Sequence, residues 1–87
     1  MHIKLHMGEE TPPETHVTGT AADLVRYKFN PSGLADVQRI KFIAAALISE
    51  CEALRDAKGP GAREAAIAIT DIQKASMMAV AAATAHL

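Results

Sequence analysis

The fold is decided by residues 33–86, which read GLADVQRIKFIAAALISECEALRDAKGPGAREAAIAITDIQKASMMAVAAATAH. A glycine-proline-glycine segment at 59–61 separates two helix-forming stretches of similar length, and such segments favour tight turns. The pattern predicts one helix from about 33 to 57 and a second from about 62 to 86. At 1.5 Å per residue each helix would be roughly 37 Å long, so the two match as an antiparallel hairpin.

The ends of the first long helix carry residues that are typical of caps. Ser32 is expected to cap its start, while Arg55 and Lys58 suit the negative end of its dipole. A glycine of the following turn is expected to supply the left-handed residue that ends the helix.

Each predicted long helix carries two apolar faces. On the first helix one stripe is formed by Val37, Ile40, Ala44, Leu47, Ile48, Cys51 and Leu54, and a second group by Ala35, Phe42, Ala46 and Ala53. On the second helix one stripe is formed by Ala65, Ile69, Ile72, Ser76, Ala79 and Ala83, and another by Ile67, Met78 and Ala85, with Lys74 among them. A hairpin has one inner side, so the outer faces predict a homo-oligomer; the alternative is a short N-terminal helix folded over the outer side.

The N-terminal part divides at about residue 20. Residues 1–20 are predicted to be flexible or strand-like, because Ile3 and Leu5 alternate with polar residues and 9–15 holds two prolines and three acids. This lone strand has no evident partner in the sequence. Residues 21–87 are predicted to form the helical-hairpin domain.

A short helix is predicted from about 21 to 28. Thr20 and Asp23 have the spacing of a capping box, and Pro31 keeps the residue before it out of the α region. The side chains expected to point inward are Leu24 and Val25. The predicted fold is therefore all-α: a short N-terminal helix, then a long antiparallel helical hairpin, in a homo-oligomer.

The length and composition of the chain indicate one small domain. The 87-residue chain is 49% hydrophobic and 3% aromatic, and 18 of its residues are alanine. A chain of this size buries about 60% of its unfolded surface when it folds alone, which makes partners valuable. The net charge of −1 offers no basic field to DNA, the single Cys51 excludes an internal disulfide, and no apolar run reaches the ~18 residues of a membrane span. We therefore expect no contact with DNA or a membrane.

No catalytic or metal-binding constellation is visible in the sequence. His2 and His6 are followed by no carboxylate or cysteine at ligand spacing, and Cys51 lies on the core stripe without an adjacent base. We therefore expect a protein that is not an enzyme, with no metal and no cofactor.

Anion binding fits the pattern better than catalysis. Arg63, Thr70 and Lys74 fall within about 40° of one another on one flank of the second helix. Arg63 also lies in the first turn, where backbone N–H groups favour anions. Tyr27 could stack on a nucleobase and Lys41 could neutralise a phosphate. On composition alone, such side chains are more often solvated surface residues.

Residues 63–82, REAAIAITDIQKASMMAVAA, resemble the second helix of the phage anti-CBASS and anti-Thoeris nucleotide-sponge hairpin family. Its members share an Arg-Glu start, an Ala-[Ile/Leu]-Thr step and a Met pair before an Ala-rich end. The lead-in 27–31, YKFNP, the first helix and the short turn also fit, so the resemblance covers about residues 25–86.

The resemblance implies a homo-oligomer, often a hexamer, that sequesters cyclic oligonucleotide signals of bacterial antiphage systems without degrading them, in the cytoplasm of the infected bacterial host. Tyr27 and Lys41 match the aromatic residue and the lysine that hold cyclic dinucleotides between subunits. Arg63 matches the arginine of a separate cyclic-trinucleotide pocket, and Thr70 and Lys74 share its flank.

Two other interpretations stay open at this point. A small helical interaction or regulatory module would use the outer apolar faces to bind another protein. An enzyme acting on the nucleotide would release an altered ligand.

Overall fold

The computed structural model describes residues 2–3 and 13–87 of the chain. Its elements are β1 (His2–Ile3), β2 (Thr15–His16), α1 (Gly19–Leu24), α2 (Ala35–Asp56) and α3 (Ala62–Ala83). The most extensive packing joins α2 and α3, the two long helices on either side of the tight turn. The predicted all-α hairpin with a preceding short helix is confirmed, and a two-stranded ribbon is added to it.

The long helices are shorter than predicted, and their caps differ. Ser32 does not cap α2: Leu34 is the N-cap without a side-chain bond, and the Ser32 hydroxyl accepts a hydrogen bond from the Leu34 N–H at 3.2 Å. At the other end the left-handed residue is Lys58, with φ 55°, and neither Gly59 nor Gly61 has a positive φ. The left-handed residue that ends α2 therefore precedes the Gly-Pro-Gly turn, and no glycine of that turn provides it.

The strand-like start of the chain has a partner that the sequence pattern did not reveal. β1 pairs antiparallel with β2, placing His2 opposite His16. β2 also contacts α2, so the ribbon lies against the hairpin. The predicted spacer at 9–15 falls partly outside the described residues, since the description resumes at residue 13, and so does most of the predicted strand.

The N-terminus of α1 is held by a buried carboxylate on α2. Thr18 is the N-cap, and its Oγ1 accepts from the Ala21 N–H at 3.1 Å, so the predicted capping box at Thr20 is wrong. The Thr18 and Thr20 hydroxyls each donate to the Glu52 carboxylate at 2.5 Å, and the Thr18 N–H donates to Ser49 Oγ at 3.0 Å. A buried carboxylate needs such donors, which is why Thr20 serves Glu52 and not the helix.

The core lies where the N-terminal segment and α3 meet α2. Its buried members are Val17, Ala21, Val25, Ala45, Ala46, Ile48 and Ile69. The predicted inward position of Val25 is confirmed, whereas Leu24 is 40% exposed. Leu47 and Leu54 belong to the predicted core stripe but are 53% and 62% exposed. The reason is that α2 turns Lys41, Ser49 and Glu52 inward instead.

The outer side of the hairpin remains apolar and uncovered within the single chain. Large exposed side chains there include Ile43, Leu47, Leu54, Ile67, Met77 and Met78. The alternative to self-assembly was a short N-terminal helix folded over the outer side. The short helix and β2 do pack on α2, but they leave these apolar side chains exposed. The structure therefore leaves a surface that a second protein surface could cover.

Within residues 2–3 and 13–87, one helix is long and apolar enough to cross a membrane by length and composition. It is α3, with a mean hydropathy of 1.2 over its most apolar window, of which 17% is buried inside the chain. Helices that pack against other protein share this length and composition, so α3 does not by itself indicate a membrane span. The absence of membrane contact stays a prediction.

Candidate ligand-binding site

A cleft of about 440 Å³ lies between the loop that precedes α2 and the C-terminal part of α3. We call it the Lys41 cleft. Its lining residues are Phe29, Asn30, Pro31, Ser32, Val37, Lys41, Val80, Thr84 and Leu87. Apolar surface dominates the cleft, while Lys41 contributes a cation, as is usual in a site that binds a ligand with both rings and charges.

Lys41 is buried on α2, with 7% of its surface exposed. Its ammonium donates hydrogen bonds to two backbone carbonyls of the loop, that of Arg26 at 2.9 Å and that of Phe29. An ammonium has three N–H groups, and the described residues accept from two of them, which leaves one for an anion in the cleft. Burial lowers the pKa of Lys41, and the nearby positive charge of Arg26 lowers this pKa further.

The loop takes this path because α1 ends after six residues, which is less than two turns. The Tyr27 N–H donates to the Ala22 carbonyl at 3.0 Å and the Arg26 N–H to the Asp23 carbonyl at 3.1 Å. This is a Schellman motif, and Arg26 occupies its left-handed position with φ 54°. The predicted helix to residue 28 is therefore wrong, since a left-handed residue cannot continue a right-handed helix.

The next turn of the loop is fixed by side-chain hydrogen bonds. Asn30 Nδ2 donates to the Leu34 carbonyl at 3.1 Å, and the Ser32 hydroxyl donates to Asn30 Oδ1 at 2.7 Å. Gly33 follows with φ 68°, a conformation that suits glycine. These contacts hold Asn30 and Ser32 as one wall of the Lys41 cleft.

The aromatic rings of Tyr27 and Phe29 have different surroundings in the structure, a difference that the sequence does not show. Tyr27 packs its ring against Phe42 in a T-shaped arrangement at 5.5 Å, and its hydroxyl accepts from Gln38 Nε2 at 3.2 Å. Phe29 is 62% exposed, and the Lys41 ammonium lies 5.6 Å from its ring centroid. Phe29 lines the Lys41 cleft and Tyr27 does not. Phe29 was not among the predicted site residues. The aromatic-lysine-aromatic order of residues 27–29 shows both rings, but it does not show which of them is exposed.

Arg63, Thr70 and Lys74 lie elsewhere on the hairpin. All three are exposed on one flank of α3, as the sequence predicted. Arg63 stands in the first turn, roughly 25 Å along the axis from Val80 of the Lys41 cleft, at 1.5 Å per residue. None of the three lines the Lys41 cleft, so within one chain they form a surface separate from it.

The side chains of the Lys41 cleft and those of the α3 flank are both suited to binding a ligand. The Lys41 cleft offers an exposed ring and a cation, and the α3 flank offers a guanidinium, a hydroxyl and an ammonium. Over residues 2–3 and 13–87, no group of three or more His, Cys, Asp or Glu side chains could hold a metal ion. The expectations of no metal and no enzymatic activity remain predictions.

Comparison with known protein families matches most of the chain. Residues 20–84 match the family model described as Acb2/Tad1, hairpin domain. Neither the curated proteins nor the solved structures contain a match. The matched range includes all of α1 but its first residue, the loop, both long helices and every residue of the Lys41 cleft except Leu87.

Proposed function

Because the chain belongs to the Acb2/Tad1 hairpin-domain family, the anti-CBASS and anti-Thoeris nucleotide sponges, we propose that it sequesters cyclic dinucleotide immune signals, and also cyclic trinucleotides, without degrading them. In this proposal the protein is not an enzyme and needs no cofactor. It acts in the cytoplasm of a phage-infected bacterium, where it lowers the free concentration of the signal.

The observation that supports this proposal most directly is the pairing of Lys41 and Phe29 in one cleft. The exposed ring offers a face on which a nucleobase can stack. The third N–H of the Lys41 ammonium is available to a phosphate oxygen. Tyr27 supports the loop from the other side through Phe42 and Gln38, so its contribution to binding includes holding the loop.

We further propose that the active form is a homo-oligomer, with a hexamer as the expected state. The exposed Ile43, Leu47 and Leu54 of α2 and the Met77–Met78 pair of α3 provide apolar surface for contacts between copies. A cleft open on its outer side becomes a closed site when a second subunit covers it, and exclusion of water strengthens phosphate contacts.

Native mass spectrometry with a panel of cyclic di- and trinucleotides tests the function, followed by heat release of the bound ligand. We expect discrete oligomers that carry intact nucleotides at fixed stoichiometry. Released ligand of altered mass would show an enzyme. An oligomer that takes up no nucleotide would favour the interaction module, whose surface would be the same exposed apolar residues.

Arg63 is predicted to serve a second ligand class. Replacing Arg63 with alanine should weaken cyclic-trinucleotide binding by about tenfold or more, because a charge-assisted hydrogen bond at a helix start is lost. Cyclic-dinucleotide binding should change little, since Arg63 lies far from the Lys41 cleft. Isothermal titration calorimetry with both ligands measures the difference.

The matched control for Arg63→Ala is Lys58→Ala, which removes an exposed cation at the same end of the hairpin. Equal loss of di- and trinucleotide binding in Arg63→Ala would indicate one shared site and contradict the separation of the two surfaces.

A further inference from the structure

Arg26 occupies a backbone position that suits glycine. It is the left-handed residue of the Schellman motif that ends α1, with φ 54°. Glycine dominates this position because an L side chain is strained there. An arginine at such a place lowers the stability of the free chain relative to glycine.

Arg26 also repels a neighbouring cation, Lys41, in the free chain. Its cation lies near the buried Lys41 ammonium and contributes, after burial, to the lowered pKa of Lys41. Among the described residues no carboxylate forms an ion pair with Arg26, although Asp23 lines the same cleft. Strained residues that persist without an internal compensation are characteristic of functional sites.

The residues around Arg26 indicate which kind of ligand could compensate its backbone strain and its positive charge. The exposed Arg26 lines a cleft of about 270 Å³, together with Lys28, Tyr27 and Phe29. Phe29 lines both this cleft and the Lys41 cleft. A base stacked on Phe29 would therefore place its phosphates within reach of cations on both sides of that ring.

We infer that Arg26 is a phosphate-binding residue of the nucleotide site, held by its left-handed backbone so that its guanidinium meets the ligand from the cleft next to Lys41. The planar guanidinium fork can donate two parallel hydrogen bonds to one phosphate. This inference rests on the proposed function, since it assigns a further residue to the same site.

The test is Arg26→Gly, which should change stability and affinity in opposite directions. Glycine relieves the left-handed strain and the repulsion with Lys41, so the melting temperature should stay equal or rise by about 4 °C. Cyclic-dinucleotide affinity should fall by about tenfold to a hundredfold, the effect of losing a charged hydrogen-bonding group. Calorimetric titration and thermal unfolding measure the two quantities.

The chain contains a matched control in Lys58. It is also a cation with a left-handed backbone, φ 55°, at the C-terminal end of a helix, but it lies beyond the far end of α2. Lys58→Gly should raise stability similarly and leave affinity unchanged. Arg26→Asn, which tolerates the same backbone without a charge, should bind as weakly as Arg26→Gly, and Arg26→Lys should restore part of the affinity.

The outcomes separate this inference from the proposed function. Wild-type protein that binds no cyclic nucleotide would refute the proposed function, and the inference with it. Wild-type binding with Arg26→Gly within twofold of it would overturn the inference alone. The same would follow if Lys58→Gly lost as much affinity, or if Arg26→Asn bound like the wild type, because backbone flexibility and not charge would then explain the loss.

Discussion

Cyclic-dinucleotide binding is expected to fall by about a hundredfold or more when Lys41 is replaced by methionine. Methionine keeps the apolar stem of the buried side chain but removes the ammonium. The direct phosphate contact is then lost, and the carbonyls of Arg26 and Phe29 lose their donor. The loop should loosen, which moves Phe29 away from the base that it stacks on.

Two measurements separate these effects in Lys41→Met. Titration calorimetry gives the affinity, and amide hydrogen exchange at residues 27–33 reports whether the loop has opened. Arg39→Gln is the control, because Arg39 lies on the same helix, is exposed and pairs with Asp36 instead of the loop. Wild-type affinity in Lys41→Met would contradict the assignment of the site to the Lys41 cleft.

The free energy of unfolding is expected to fall by about 3 kcal/mol in Ile48→Ala, within the range measured for large-to-small core substitutions. Ile48 is fully buried, with no exposed surface, where the N-terminal segment, α2 and α3 meet. Removing its side-chain carbons leaves a cavity between elements that cannot all close over it. For a domain of this size the melting temperature should fall by roughly 12–24 °C.

Leu47→Ala is the matched control, since Leu47 is the neighbouring residue of similar volume but is 53% exposed. In the single chain it should lose about 1 kcal/mol or less. Urea unfolding at a protein concentration where the chain is monomeric compares the two. A larger loss in Leu47→Ala than in Ile48→Ala under those conditions would show that the packing of α2 is different from the one described here.

The separation of Tyr27 from the Lys41 cleft shows where sequence patterns lose their information. Both rings at 27 and 29 stand next to cations in the sequence, and the family resemblance pointed to Tyr27. Phe42, Gln38 and Lys41 decide which ring stays free, and each lies 11 to 15 residues along the chain from the ring that it contacts. A local sequence pattern cannot show which ring remains exposed, because this depends on how the loop folds back on the helix.

The burial of Lys41 escapes sequence patterns for a related reason. A helical projection assumes that the apolar stripe alone faces inward, and side chains such as that of Lys41 are then expected at the surface. The structure instead turns the sector with Lys41, Ser49 and Glu52 towards the N-terminal segment. These polar groups satisfy loop carbonyls, a backbone N–H and threonine hydroxyls there, so their burial is compensated.

The sequence is enough to predict the hairpin, since the spacing of apolar residues and the short Gly/Pro turn act through local backbone geometry. It also carried the family motif at 63–82 and the exposed flank of Arg63, Thr70 and Lys74, because helix periodicity alone places these side chains. Three properties become visible only in the folded chain: Lys41 is held by loop carbonyls, Phe29 faces the cleft, and Arg26 has no acidic partner among the described residues. Those properties depend on contacts between segments distant along the chain, where burial and hydrogen bonding, and not local propensity, set the energy.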